Sequence, residues 1–184
     1  GLYNKKIYTN SIESFEKNGK NFNYLEVDFQ LTKDSKLICK HDIKMDLYQK
    51  ETPTYEDFLI ENNQKKIKGC DYRSLSEWLK RNPNKIIITD FKTNNLEGLK
   101  FIKENFKNFN KNFIPQIYYP KNYELVKNMG YENIIWTLYR YRVTNEDFDK
   151  ITKITKKKNF FAITMPANLA FSGLSKKIKK ETDT

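Results

Sequence analysis

Histidine is almost absent from this sequence: His41 is the single one among 184 residues. Chemistry built on an imidazole therefore has one address. Cysteine is nearly as scarce, with Cys39 and Cys70 alone and no CxxC spacing. That excludes a disulfide framework and a cysteine zinc site, and the expected state is a pair of thiols, Cys39 acting as a small buried apolar residue. Arginine is rare among the 34 basic residues, at positions 73, 81, 140 and 142 only. Because arginine is the side chain that reads bases and phosphates bidentately, the net charge of +11 does not point to a nucleic-acid partner, and none is expected. No apolar run reaches the roughly 18–20 residues of a membrane helix, so no transmembrane segment is expected. The first residues, Gly-Leu-Tyr-Asn-Lys-Lys, lack the apolar stretch of a signal peptide and do not begin with Met. They read as the start of a fragment or processed product, and assign no compartment.

What is present is enough for a core. Hydrophobic residues make up 38% and aromatic residues 15% of the chain, a length and composition expected to form one domain over 1–184. The most informative stretch runs from Tyr24 to Asp42. Two short strands are written there, Tyr24 to Gln30 and Leu37 to Lys40, joined by a turn at Lys33-Asp34-Ser35-Lys36. In the first, Leu25, Val27 and Phe29 alternate with Glu26, Asp28 and Gln30. Side chains of a strand alternate faces, so the two carboxylates point the same way and repel one another. A hard divalent cation that prefers oxygen ligands, Mg²⁺ or Ca²⁺, would relieve that cost. His41 follows at the end of the next strand.

The rest of the chain alternates. A helix begins near Thr9-Asn10-Ser11, where Asn10 or Ser11 can cap it, and ends at Gly19. The polar segment from Asp46 to Lys68 reads as an excursion with a short helix around Tyr55–Ile60. Leu75 to Arg81 is a helix capped by Ser74 or Ser76 and stopped by Asn82-Pro83. Lys85 to Lys92 is a nearly continuous apolar strand of the kind buried on both faces of a parallel sheet. Helices and strands then alternate through Leu96–Phe106, Phe113–Tyr118, Tyr123–Met129, Asn133–Tyr139, Asn145–Lys156 and Phe160–Met165, before a weak helix and a basic tail. Repeated βα units predict an α/β parallel sheet, open or closed into a barrel, with chemistry at the carboxyl ends of its strands. Asp90 and Lys92 share a face at such an end. Gln116, Trp136 and Tyr139 are candidates for lining a pocket.

The segments Thr-Asn-Ser-Ile-Glu-Ser-Phe at 9–15, Leu-Glu-Val-Asp-Phe-Gln-Leu at 25–31 with His41-Asp42, and Ile-Thr-Asp-Phe-Lys at 88–92 resemble the glycerophosphodiester phosphodiesterase family. Pro-Gln-Ile-Tyr at 115–118, Asn-Ile-Ile-Trp-Thr-Leu-Tyr at 133–139 and Ala-Ile-Thr-Met-Pro at 162–166 extend the likeness along essentially the whole chain. The resemblance implies a (β/α)₈ barrel of the phosphatidylinositol-phospholipase-C-like type that uses a divalent metal. It implies that Glu26 and Asp28 are metal ligands, that Asp90 stands where a metal-binding Glu is common, and that His41 is one of two catalytic histidines. Lys92 matches a lysine that lines the site. The family's other histidine, on the first barrel strand, would precede Thr9, and its last two strands would follow Lys180. The expectation is therefore an incomplete barrel matching strands two to six.

The implied chemistry is hydrolysis of glycerophosphodiesters, small substrates of lipid metabolism, to glycerol phosphate and an alcohol. Lys92 would add positive charge against the anionic transition state. His41 would protonate the leaving alkoxide, an effect of roughly 10²- to 10⁴-fold, and loss of the partner histidine would reduce the rate by a comparable factor. An alternative is a catalytically silent relative that binds phosphate-containing ligands or a partner chain. No oligomeric state, metal identity or leaving alcohol follows from the residues.

Overall fold

The computed structural model describes residues 9–41 and 52–182. Part of the polar excursion expected after His41 lies outside the described residues, as do Tyr3 to Tyr8. The chain divides into two compact units, residues 1–113 and 114–184. Both are α/β. Together they contain six strands among the described residues, in a mixed but mostly parallel arrangement, which is the fold class anticipated above.

In the first unit, helix α1 (Ile12–Asn18) leads through a 3₁₀ turn to strand β1 (Tyr24–Leu31) and strand β2 (Leu37–Cys39). Helices α2 (Tyr55–Lys65) and α3 (Tyr72–Arg81), strand β3 (Ile86–Phe91) and helix α4 (Asn95–Asn105) complete it. β2 pairs antiparallel with β1, and β3 pairs with the other edge of β1 in parallel. The hairpin turn is closed by Thr32 and Lys36, whose N–H donates to Thr32 Oγ1 at 2.9 Å, with Ser35 at φ 58°.

The helix layer explains which strand residues remain for a site. Val27, Phe29, Ile87, Thr89 and Phe91 are buried on one face, with the Phe29 and Phe91 rings stacked at 5.4 Å. Phe91 is covered by α4 at Gly98, where a Cβ would lie 2.1 Å from the Phe91 ring. Only a glycine allows so close an approach of helix to strand. α3 adds Leu75, Trp78 and Leu79 to the core, with Trp78 edge-on to Phe15 of α1 at 5.5 Å. Alternation then leaves residues 26, 28, 90 and 92 to point the other way.

One helix start and one helix length differ from expectation. α3 begins three residues earlier, because Asp71 and Ser74 form a reciprocal capping box: Asp71 Oδ1 accepts from Ser74 N–H at 2.7 Å, and Ser74 Oγ accepts from Asp71 N–H at 2.9 Å. α2 runs a full eleven residues behind a second capping box, Thr54 with Asp57.

The expectation of two separate thiols is also corrected. Cys39 and Cys70 form a disulfide, with Cα atoms 5.1 Å apart. β2 lies alongside the chain leading into α3: Ile38 bridges Asp71, and Cys39 N–H donates to Cys70 O at 2.7 Å. A sequence separation of 31 hides a contact that the sheet edge makes local.

The second unit contains strand β4 (Phe113–Ile117), which begins one residue before it, helix α5 (Tyr123–Asn128) and strand β5 (Ile135–Thr137). Helix α6 (Phe148–Lys158), strand β6 (Ala162–Thr164) and helices α7 (Ala167–Ala170) and α8 (Gly173–Glu181) follow. β4, β5 and β6 run parallel in that order. Trp136 packs on Phe160 at 5.5 Å, and Phe160 meets Tyr123 of α5 edge-on at 4.9 Å. That face belongs to the helices, so Gln116, Thr137 and Thr164 lie on the other.

Candidate active site

The site grows from one register. Asp28 of β1 and Asp90 of β3 are directly paired across two parallel strands, so their side chains rise side by side on one face. Glu26, two residues before Asp28, shares that face. Carboxylate oxygens of Glu26, Asp28 and Asp90 all lie within 4.8 Å of one another. Both aspartates are about 4% exposed, whereas the Glu26 side chain partly reaches solvent.

Such crowding has an electrostatic cost. Burial of the Glu26 carboxyl against protein, followed by repulsion from Asp28 and Asp90, pushes it up to about 7; Lys92 opposes the shift. Lys92 reaches back from the residue after β3, pairing with Asp90 and lying 3.3 Å from Asp28 Oδ1. Three hard oxygen donors converging around one point fit a divalent cation such as Mg²⁺ or Ca²⁺, which would remove the repulsion that raises Glu26.

The carboxylates sit differently on the two strands. Asp90 is one residue from the end of β3, but β1 continues three residues past Asp28 into the β2 hairpin. The site is therefore at the end of one strand and the middle of its neighbour. β2, being antiparallel, brings its carboxyl end back toward the cluster. Lys40 N–H donates to Asp28 O at 2.9 Å, which places Lys40 across from Asp28 in the ladder, and half-buried His41 comes next. The Lys40 ammonium is turned to Glu61 of α2. His41 thus follows the residue that pairs with Asp28, but it does not belong to the group of carboxylates whose ligand atoms lie within 4.8 Å of one another. Gln116, in the second unit, is buried, and its Oε1 accepts from Thr164 Oγ1 at 3.1 Å. That bond ties its side-chain oxygen to β6 of its own unit.

One contributor escaped the sequence reading. Asn10 is buried and donates from Nδ2 to Asp28 Oδ2 at 2.9 Å. In the sequence it was indistinguishable from a helix cap. The signal was redundancy, since two adjacent cap formers compete for one helix start and only Ser11 takes the role, accepting from Ser14 N–H at 3.2 Å.

The fold and the site together define an α/β protein, its sheet mostly parallel, with an acidic cluster that could hold a cation and a lysine gathered on one face. The particular family follows from comparison. The model of the Glycerophosphoryl diester phosphodiesterase family matches residues 3–127, more than half of the chain, and the chain belongs to that family. No curated protein matches it. Solved structures do. A glycerophosphodiester phosphodiesterase from Thermotoga maritima superposes with a TM-score of 0.65 at 18% identity, covering 94% of this chain and 76% of its own. One from Agrobacterium tumefaciens gives 0.58 at 11% identity, covering 94% and 77%. A protein from Galdieria sulphuraria assigned to the same activity gives 0.66 at 13%, covering 97% and 79%. At these identities the likeness speaks for the fold. No helix among the described residues is long and apolar enough to cross a membrane.

Proposed function

We propose that this protein is a metal-dependent phosphodiester hydrolase that cleaves glycerophosphodiesters to glycerol phosphate and an alcohol, residues 1–184 acting as one domain. The observation that carries the reading is the convergence of Glu26, Asp28 and Asp90 from two parallel strands, with Lys92 beside them. Those three carboxylates would hold the divalent ion, Mg²⁺ or Ca²⁺. The bound metal supplies a Lewis acid for a phosphate oxygen.

The remaining roles belong to the chain itself. Lys92, already among the carboxylates, is placed to draw a phosphate oxygen and to offset the negative charge that builds in the transition state. His41 holds a proton for the departing alkoxide, a contribution of roughly 10²- to 10⁴-fold. A second reading, a silent relative that binds phosphate-bearing ligands, is favoured by one observation: the Lys92 ammonium already contacts Asp28 and Asp90, neutralising part of the cluster by itself.

Calorimetric titration of Mg²⁺ and Ca²⁺, with Glu26→Gln/Asp28→Asn as control, followed by an assay of glycerol phosphate release from glycerophosphocholine, separates the two. Saturable binding lost in the control, with turnover, supports the hydrolase. Binding without turnover supports the silent relative. Absence of binding removes the metal centre from both.

A further inference from the structure

Asn10 stands outside every regular element and is nevertheless 1% exposed. Its backbone adopts φ 43°, the left-handed region that asparagine tolerates better than most residues. Because Ser11 caps α1, the Asn10 amide is released from the helix and reaches across to β1 instead. There it grips one residue twice: Nδ2 donates to Asp28 Oδ2 at 2.9 Å, and Oδ1 accepts from Asp28 N–H at 3.4 Å. The other oxygen, Asp28 Oδ1, is the one that faces Lys92 at 3.3 Å.

We propose that Asn10 is a positioning residue for the metal centre, fixing the Asp28 carboxylate so that Oδ2 is committed to the amide and Oδ1 is presented to the cation. The inference rests on the metal-centre reading given above. A ligating carboxylate left free to rotate loses order that binding must then restore, and partners that orient metal ligands typically account for a 10- to 100-fold change in affinity. The clamp also bears on which ion is preferred. Mg²⁺ demands near-ideal octahedral geometry, while Ca²⁺ accepts one or both oxygens of a carboxylate. Holding Oδ2 out of the coordination sphere therefore favours Mg²⁺.

The test is calorimetric titration of Mg²⁺ and of Ca²⁺ into the parent chain, Asn10→Gly and Asn10→Ser, with thermal unfolding in chelator as the measure of the metal-free fold. Glycine keeps the left-handed backbone and removes only the amide; if it fails to fold, Asn10→Ser carries the comparison. The expected result is a Mg²⁺ Kd raised about tenfold or more, with a smaller rise for Ca²⁺, so that the preference between the ions shifts. A folded variant that binds both ions within twofold of the parent overturns the proposal. So does an equal loss for both ions in proportion to a fall in Tm, which marks a merely structural buttress. If the parent itself binds neither ion, the metal-centre reading fails and this inference falls with it, whereas a parent that binds and a variant that is unchanged defeats this inference alone.

Discussion

Breaking the Cys39–Cys70 bond is expected to lower the melting temperature by an amount that follows from the position of the bond. The link closes a loop with a sequence separation of 31 residues. In the chain-entropy description, cross-linking a loop of that size removes conformational freedom from the unfolded chain corresponding to roughly 3–4 kcal/mol. At about 2–4 °C per kcal/mol for a chain of this length, Tm should fall by roughly 6–15 °C. Two perturbations isolate the cross-link from packing. Chemical reduction leaves both sulfurs in place, whereas Cys39→Ala/Cys70→Ala also removes atoms that are buried to 3% and 0% exposure. Melting followed by circular dichroism, with thiol titration of the unfolded chain before and after reduction, should give similar losses for the two, slightly larger for the alanine pair. Two free thiols in the untreated protein would refute the pairing. A Tm unchanged within about 2 °C after proven reduction would refute the entropic argument.

Gly98→Ala should destabilise the protein by roughly 1–3 kcal/mol despite the better helix propensity of alanine, because the new methyl meets the fully buried Phe91 ring; unchanged Tm would show that α4 can lift off β3. Glu26 gives a pH signature. Its folded-state pKa of about 7 stands above the ordinary 4.5, so the folded chain holds its proton more tightly than the unfolded chain does. That contribution is fully present below about 4.5 and is lost as pH rises to about 7, so melting in chelator should show stability declining across this window. Glu26→Gln should flatten the decline, and identical slopes in the two proteins would exclude Glu26 as its source.

Much of this architecture is legible in the sequence, for physical reasons that also mark where legibility stops. The alternation of Leu25, Val27 and Phe29 with Glu26 and Asp28 states which face is buried, and that face is the one packed under α4. Asp90 and Lys92, two apart at the end of an apolar run, share a face by the same rule and do meet. The alternation of strands and helices after residue 85 predicts the parallel sheet. What does not show is anything that depends on register between distant segments. Nothing in the spacing of Cys39 and Cys70 indicates that β2 will lie against the approach to α3. Nor does local pattern reveal that Asn10 turns from its own helix toward a neighbouring strand. Asp71 as a cap was hidden because Ser74 and Ser76 were equally good candidates one turn later, and only the reciprocal bond with Ser74 decides between them.

The placement of the two tryptophans has a spectroscopic consequence. Trp78 lies in the core of the first unit and Trp136 in that of the second, each about 1% exposed. Each half of the chain therefore carries one tryptophan in a dry environment, whose emission should shift to longer wavelengths when that half opens. Replacing Trp78 by Phe leaves a reporter for residues 114–184 alone, and replacing Trp136 leaves one for residues 1–113. Coincident unfolding curves from the two variants would mean that the halves melt as one cooperative body. Separated curves would reveal an intermediate with one half intact, and adding Mg²⁺ would then be expected to move only the curve reported by Trp78.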